Sequence, residues 1–198
     1  MVQIWDSIAY AIVGRLSNGC FNQEAFAMTA DQKIVAVGSG SGIISMILLV
    51  AIIYSFWPVS PELTDVAARL GYTARALIFA ALPLLIGIVT IANARFSSDA
   101  IDPTRHVESR AMEINGRFVD NTVQQLLLFS IATLALCTVL TPSGLRVIPA
   151  AVTVFAIARV VFWIGYRVQP IYRAPGMSAT GYLNAGLLGY GMWRMIAG

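Results

Sequence analysis

Gly42-Ile-Ile-Ser-Met-Ile-Leu-Leu-Val-Ala-Ile-Ile-Tyr-Ser-Phe-Trp57 is sixteen residues without a charge, ending in aromatic side chains. Such a run reads as a bilayer span whose Tyr54, Phe56 and Trp57 sit at the membrane–water boundary. It lies within a longer uncharged stretch between Lys33 and Glu62. Further apolar stretches follow between Arg75 and Arg95, from Leu126 to Leu140, and from Ala174 to Trp193, and Val147 to Tyr166 is equally apolar except for Arg159. The chain thus reads as about five membrane helices, since in a bilayer each backbone amide must be satisfied within its own segment.

Composition agrees. Of 198 residues, 58% are hydrophobic and 12% charged, with a mean hydropathy of +0.74, whereas a soluble domain carries roughly 25% charged residues. Connections are short and marked by turn residues, at Pro58 and Pro61, Asp99 to Pro103, Pro142 to Gly144 and Pro170 to Gly176, so no separate soluble domain is expected. The net charge of +3 is small and dispersed, which argues against nucleic acid. Cys20 and Cys137 read as free thiols, and His106 as a solvated loop residue. No metal-ligand cluster, Ser-His-Asp arrangement or phosphate loop is visible. Gly181, Gly186, Gly189 and Gly191 read as close helix packing.

Upstream, Ile4, Ile8, Ile12 and Leu16 share one helical stripe and suggest an amphipathic interfacial segment over 1–41, with Asn18 to Gly42 a flexible Gly/Ser lead. With Asp6 preceding any positive charge, a cleaved signal peptide is not expected. The expected organisation is therefore 1–41, an additional membrane helix at 42–57, and a four-helix domain at 74–198. Counting arginines and lysines on alternate loops gives eight against four, which places Arg95, Arg117, Arg167 and Arg173 on the cytoplasmic side.

Polar residues inside spans are the candidates for function, because an intramembrane ion costs at least ~2.5 kcal/mol and faces a partner or a cavity. Arg117, Asn121 and Gln124 are spaced i, i+4, i+7 and share a helix face; Arg159, Phe162 and Tyr166 repeat the pattern at i, i+3, i+7. Gln124 and Asp120 are the expected partners of Arg159 by depth. Where these helices reach one surface, Arg95, Arg117, Arg167 and Arg173 gather into a basic pocket whose guanidinium forks suit carboxylates. The alternative is structural: arginines snorkel at helix ends, and Asn or Gln in a span glues helices together.

The segment Arg117-Phe-Val-Asp-Asn121-Thr-Val-Gln124 resembles the Arg-x-x-x-Asn-x-x-Glu signature of the MAPEG family, the membrane-associated proteins of eicosanoid and glutathione metabolism. Arg159-Val-Val-Phe162-Trp-Ile-Gly-Tyr166 with Arg173 downstream resembles that family's Arg-x-x-(Tyr/His)-x-x-x-Tyr segment, and Arg95 stands where its first core helix closes. The resemblance covers roughly residues 74–196. It implies a homotrimer binding glutathione as cosubstrate between subunits, with Arg95, Arg117, Asn121, Gln124, Arg159 and Tyr166 as contacts and Arg173 as the catalytic residue beside the sulfur. It also implies transferase or peroxidase chemistry on a lipophilic small molecule delivered by membrane lipids. Departures from the family pattern are Gln124 for its Glu, Asp120 at a position often basic, and Phe162 for its Tyr or His. They allow a second expectation, a non-catalytic membrane scaffold or binding protein.

Overall fold

The computed structural model describes residues 28–58, 60–99, 102 and 108–197; the expected amphipathic stripe at Ile4 to Leu16, Cys20 and His106 lie outside them. The described chain is all-helical: α1 (Ala30–Phe56), α2 (Val66–Phe96), α3 (Arg110–Val139), α4 (Val147–Val168) and α5 (Ala174–Ala197), with single 3-10 turns at Gly144–Arg146 and Pro170–Arg173. α1, α2, α3 and α4 with its preceding turn are long and apolar enough to cross a membrane. α5, at 24 residues and about 36 Å, has the length but is diluted by Gly, Ser, Thr and Asn. This is an all-α integral membrane protein.

Local chemistry sets the helix ends. The Asp65 carboxylate accepts from the Ala67 and Ala68 amides at 2.9 and 3.3 Å, and the Ser109 hydroxyl accepts from the Met112 amide at 3.3 Å, so each satisfies donors that helices α2 and α3 leave open. At the far end of α3, Arg69 donates to the Leu140 carbonyl at 2.8 Å and Arg194 to the Val139 carbonyl at 3.3 Å. Arg69 and Arg194 thus close the negative end of a helix, where orphan carbonyls and the dipole both favour a cation.

α4 is the centre. It packs on α2, α3 and α5, and α2 and α5 each pack on α3 as well. Of its most apolar stretch 56% is buried within the chain, against 6% for α1, which therefore presents nearly all its surface outward. Phe129 of α3 stacks on Phe155 of α4 at 4.5 Å between ring centres, inside a core completed by Leu136, Ile148 and Leu183. Cys137 is buried there as a free thiol.

The Gly38 to Gly42 run is helix rather than the expected flexible lead, because α1 begins at Ala30. In a bilayer, small residues let backbones approach, and this run uses that freedom against the start of α5. A Cβ on Gly42 would lie 2.2 Å from the Pro175 carbonyl oxygen, and the Ser178 hydroxyl donates to the Ser39 carbonyl at 3.0 Å across the same seam. Elsewhere the glycine reading fails: Gly181, Gly186 and Gly189 meet nothing within 4 Å, and only Gly191 of that group packs, against Leu136. Gly42→Val is expected to detach α1 while α2–α5 stay folded, at about 1–3 kcal/mol of overpacking. Hydrogen exchange would rise across α1 alone; unchanged protection there would show that the seam does not hold the helix.

Candidate functional site

The two predicted polar stripes do meet, on α3 and α4, but not with the expected partners. Arg159 is fully buried. Its guanidinium donates to Asn121 Oδ1 at 2.7 Å and to the Gly176 carbonyl at 3.2 Å, and it also bonds the Thr180 hydroxyl. Its plane lies over the Phe162 ring at 4.6 Å. Gln124 and Asp120, the partners expected by depth, are instead exposed on α3. The amide that turns inward is Gln125, whose side-chain and backbone oxygens accept from Asn184 at 2.8 and 3.0 Å. One residue along a helix is a rotation of 100°, which moves a side chain from one helix face to another.

The Gly176 carbonyl reaches Arg159 because residue 176 has no side chain. A Cβ there would fall 2.4 Å from the Ala158 oxygen and the Phe162 nitrogen, so α5 presses directly onto α4. Gly176, Thr180 and Asn184 form an i, i+4, i+8 stripe on α5 that brings this third helix into the network. That spacing is visible in the sequence, and sequence reasoning passed over it.

Outward from Arg159 the stripe continues as stacked rings and cations. Phe162 and Tyr166 lie 5.7 Å apart, and Phe118 of α3 packs on Phe162 at 6.0 Å. Arg173, carried by the 3-10 turn after α4, sits over the Tyr166 ring at 5.1 Å, and Arg117 interacts with the same phenol from α3. Trp163 donates to Asn115 at 2.9 Å and stacks on Phe118 at 5.0 Å, which fixes α4 against α3 beside the cluster. The structure therefore brings together Arg117, Asn121, Arg159, Tyr166 and Arg173. It commits Arg95 to Glu108 and pairs Arg117 with Glu113 on its own helix rather than with Asp120. Arg167 lies over Trp163 at 5.7 Å. Among the described residues Arg173 has no acidic partner, and no group of His, Cys, Asp and Glu could hold a metal ion.

Chemically, the cluster is a positive, aromatic-backed surface of fork-shaped donors. It suits a carboxylate or another small anion better than a cation or an apolar guest.

The chain is 30% identical over 128 residues to a bovine (Bos taurus) protein named Transmembrane protein 79, and 29% identical over 128 residues to its mouse (Mus musculus) namesake. Each alignment covers 64% of this chain and 32% of the relative, so the chain spans about a third of the length of these curated relatives. No family model matches the sequence, and no solved structure matches it. The resemblance to the MAPEG family is corrected by these findings: the relatives carry another name, and no family model recovers the motifs. The physical reason lies in what the motif residues do. Asn121 and Arg159 satisfy one another across two helices, a use that any membrane bundle can make of such a pair. Together, relatives named as transmembrane proteins and four apolar helices make this a multi-pass membrane protein.

Proposed function

We propose that the protein binds glutathione, a small thiol bearing two carboxylates, at the Arg117–Tyr166–Arg173 end of the bundle, and that it presents the thiolate to lipophilic electrophiles or hydroperoxides arriving from the bilayer. The observation that carries this reading is the convergence of two guanidiniums on one phenol, with Arg173 lacking an acidic partner among the described residues. A guanidinium beside a thiol favours its ionised form, and a free thiol with a pKa of about 8.5 is mostly protonated at neutral pH. The thiolate sulfur then forms a bond to an electrophilic carbon, while the displaced electron pair leaves on oxygen or halide; with a hydroperoxide it bonds the terminal oxygen, the O–O bond breaks to release the alcohol, and a second glutathione converts the sulfenic acid to disulfide and water.

Arg117, Asp120 and Gln124 form an exposed i, i+3, i+7 stripe on α3. Facing such a stripe to lipid is unfavourable, which supports a homotrimer in which a neighbouring copy covers it and closes the site at the cytoplasmic face. The Glu113–Arg117 pair favours the second reading, a membrane scaffold or binding protein without catalysis, because it halves the free positive charge at the site.

Equilibrium dialysis of glutathione against the full chain in detergent tests the binding. Losing a charge-assisted hydrogen bond of about 1.5–3 kcal/mol, Arg173→Ala should bind at least roughly tenfold more weakly. Wild-type protein without saturable binding, or a variant binding equally well, removes the reading. Conjugation of an aromatic electrophile by the wild type then separates enzyme from scaffold.

A further inference from the structure

Away from Arg173, toward the end of the bundle where α1 stops and α2 begins, a groove of about 1010 Å³ opens between α2 and α4. Its walls are apolar, with Phe79 and Ile86 on α2 facing Val152 and Val160 on α4. Its mouth is not. Trp57, Glu62 and Arg75 line it there. The Arg75 Nε donates to the Gly71 carbonyl at 3.1 Å, one turn toward the start of α2, so the guanidinium reaches back to the membrane surface. Neither Glu62 nor Arg75 is ion-paired among the described residues, and they do not pair with each other.

We infer that this groove is a binding site for one zwitterionic phospholipid, with its phosphate on Arg75, its ammonium on Glu62 beside Trp57, and one acyl chain along the α2–α4 wall. Length agrees: from Arg75 to Ile86 is eleven residues, or about 16 Å of helix, close to half of a hydrocarbon core of about 30 Å. A single leaflet's chain fits that span. Charge selects the headgroup. A cation and an anion left open in one mouth match a headgroup that carries both signs, and the Trp57 ring adds an attractive face for an ammonium. An anionic headgroup ending in a neutral glycerol would satisfy Arg75 but leave the Glu62 carboxylate without a cation. Below the mouth, the Thr153 hydroxyl lines the same groove without a hydrogen bond among the described residues, and offers a donor to an ester carbonyl.

Native mass spectrometry of the full chain released from detergent, with equal amounts of phosphatidylethanolamine and phosphatidylglycerol of the same acyl chains, tests the site. The wild type should retain the ethanolamine lipid at least about tenfold over the glycerol lipid. Arg75→Gln, an exposed change that leaves the fold alone, should lower that retention about tenfold. Glu62→Gln should bring the two lipids to parity, and Ala156→Trp, which fills the groove, should abolish retention of both at an unchanged melting temperature. Equal retention of the two lipids by the wild type, or undiminished retention by both Arg75→Gln and Ala156→Trp, overturns the assignment. So does a crosslink through the groove to a second copy of the chain.

Discussion

Gly176→Ala is expected to lower the melting temperature of the purified protein by about 6–12 °C, the equivalent of about 3 kcal/mol for a chain of this size. A single methyl group has this effect because of what it meets. Its position lies 2.4 Å from the Ala158 oxygen, 2.4 Å from the Phe162 nitrogen and 2.6 Å from the Phe162 Cα. All three are backbone atoms of α4, held in their own helix, so no rotamer change makes room. α5 must instead move off α4. Overpacking of this kind costs about 1–3 kcal/mol, and separating the helices also withdraws the Gly176 carbonyl from Arg159. Gly181→Ala, on the same helix but facing open space, is the control and should not lower the melt, since alanine is the better helix former where nothing obstructs its methyl group. A Gly176→Ala protein melting within a degree or two of wild type would mean that α5 does not press directly onto the α4 backbone.

Arg159→Ala is the second large effect, and comparing three substitutions shows where it comes from. Removing the side chain leaves a cavity at a fully buried position and orphans Asn121 Oδ1. Thr180 keeps a partner, since its hydroxyl also donates to the Gly176 carbonyl at 2.9 Å. Cavity formation at a buried large side chain costs about 2–5 kcal/mol. An interhelical hydrogen bond in a membrane contributes only about 0.6–2 kcal/mol. The cavity therefore dominates, and Arg159→Ala should lose about 3–4 kcal/mol. Arg159→Met refills most of the volume and relieves a buried charge, so it should lose only about 1 kcal/mol. Arg159→Lys keeps the charge but not the planar fork, and belongs between the two. Denaturation in mixed micelles orders the three. Met as damaging as Ala would instead make the hydrogen bonds, and not the packing, the main contribution.

The membrane class was legible because it depends on composition and run length, which the bilayer fixes directly: the spans ending at Trp57 and Arg95 and the charge of Arg159 stand out in the letters alone. What the letters concealed was rotation and partner choice. Gln124 and Gln125 are adjacent, and only packing decides which one faces Asn184. Depth matches Arg159 to α3 residues, but two of its three hydrogen-bond partners come from α5, a helix whose Gly176 and Thr180 look like ordinary small residues until the distance to α4 is known. The Gly-Ser-Gly-Ser-Gly run misled for the same reason. In water such a run is a flexible tether; against another membrane helix its lack of side chains is a contact surface. Arg95 and Arg117 illustrate the opposite error, since a count of cations at one face says nothing of Glu108 and Glu113 standing beside them. The motif resemblance inherits all of these ambiguities, because its letters are also those a helical bundle uses to join its own helices.

The seam between α1 and the start of α5 has a consequence for biosynthesis. α1 precedes the other described helices out of the ribosome, and the surface that receives Gly42 is built from Pro175 and Ser178, more than a hundred residues later in translation. Until the start of α5 is inserted, α1 has no permanent neighbour for its small-residue edge. Nascent chains arrested before Pro175 should therefore leave that edge of α1 uncovered, with the helix held only through its other contacts, such as Arg146 over the Tyr54 ring at 4.6 Å, and the seam closes only once the start of α5 is inserted.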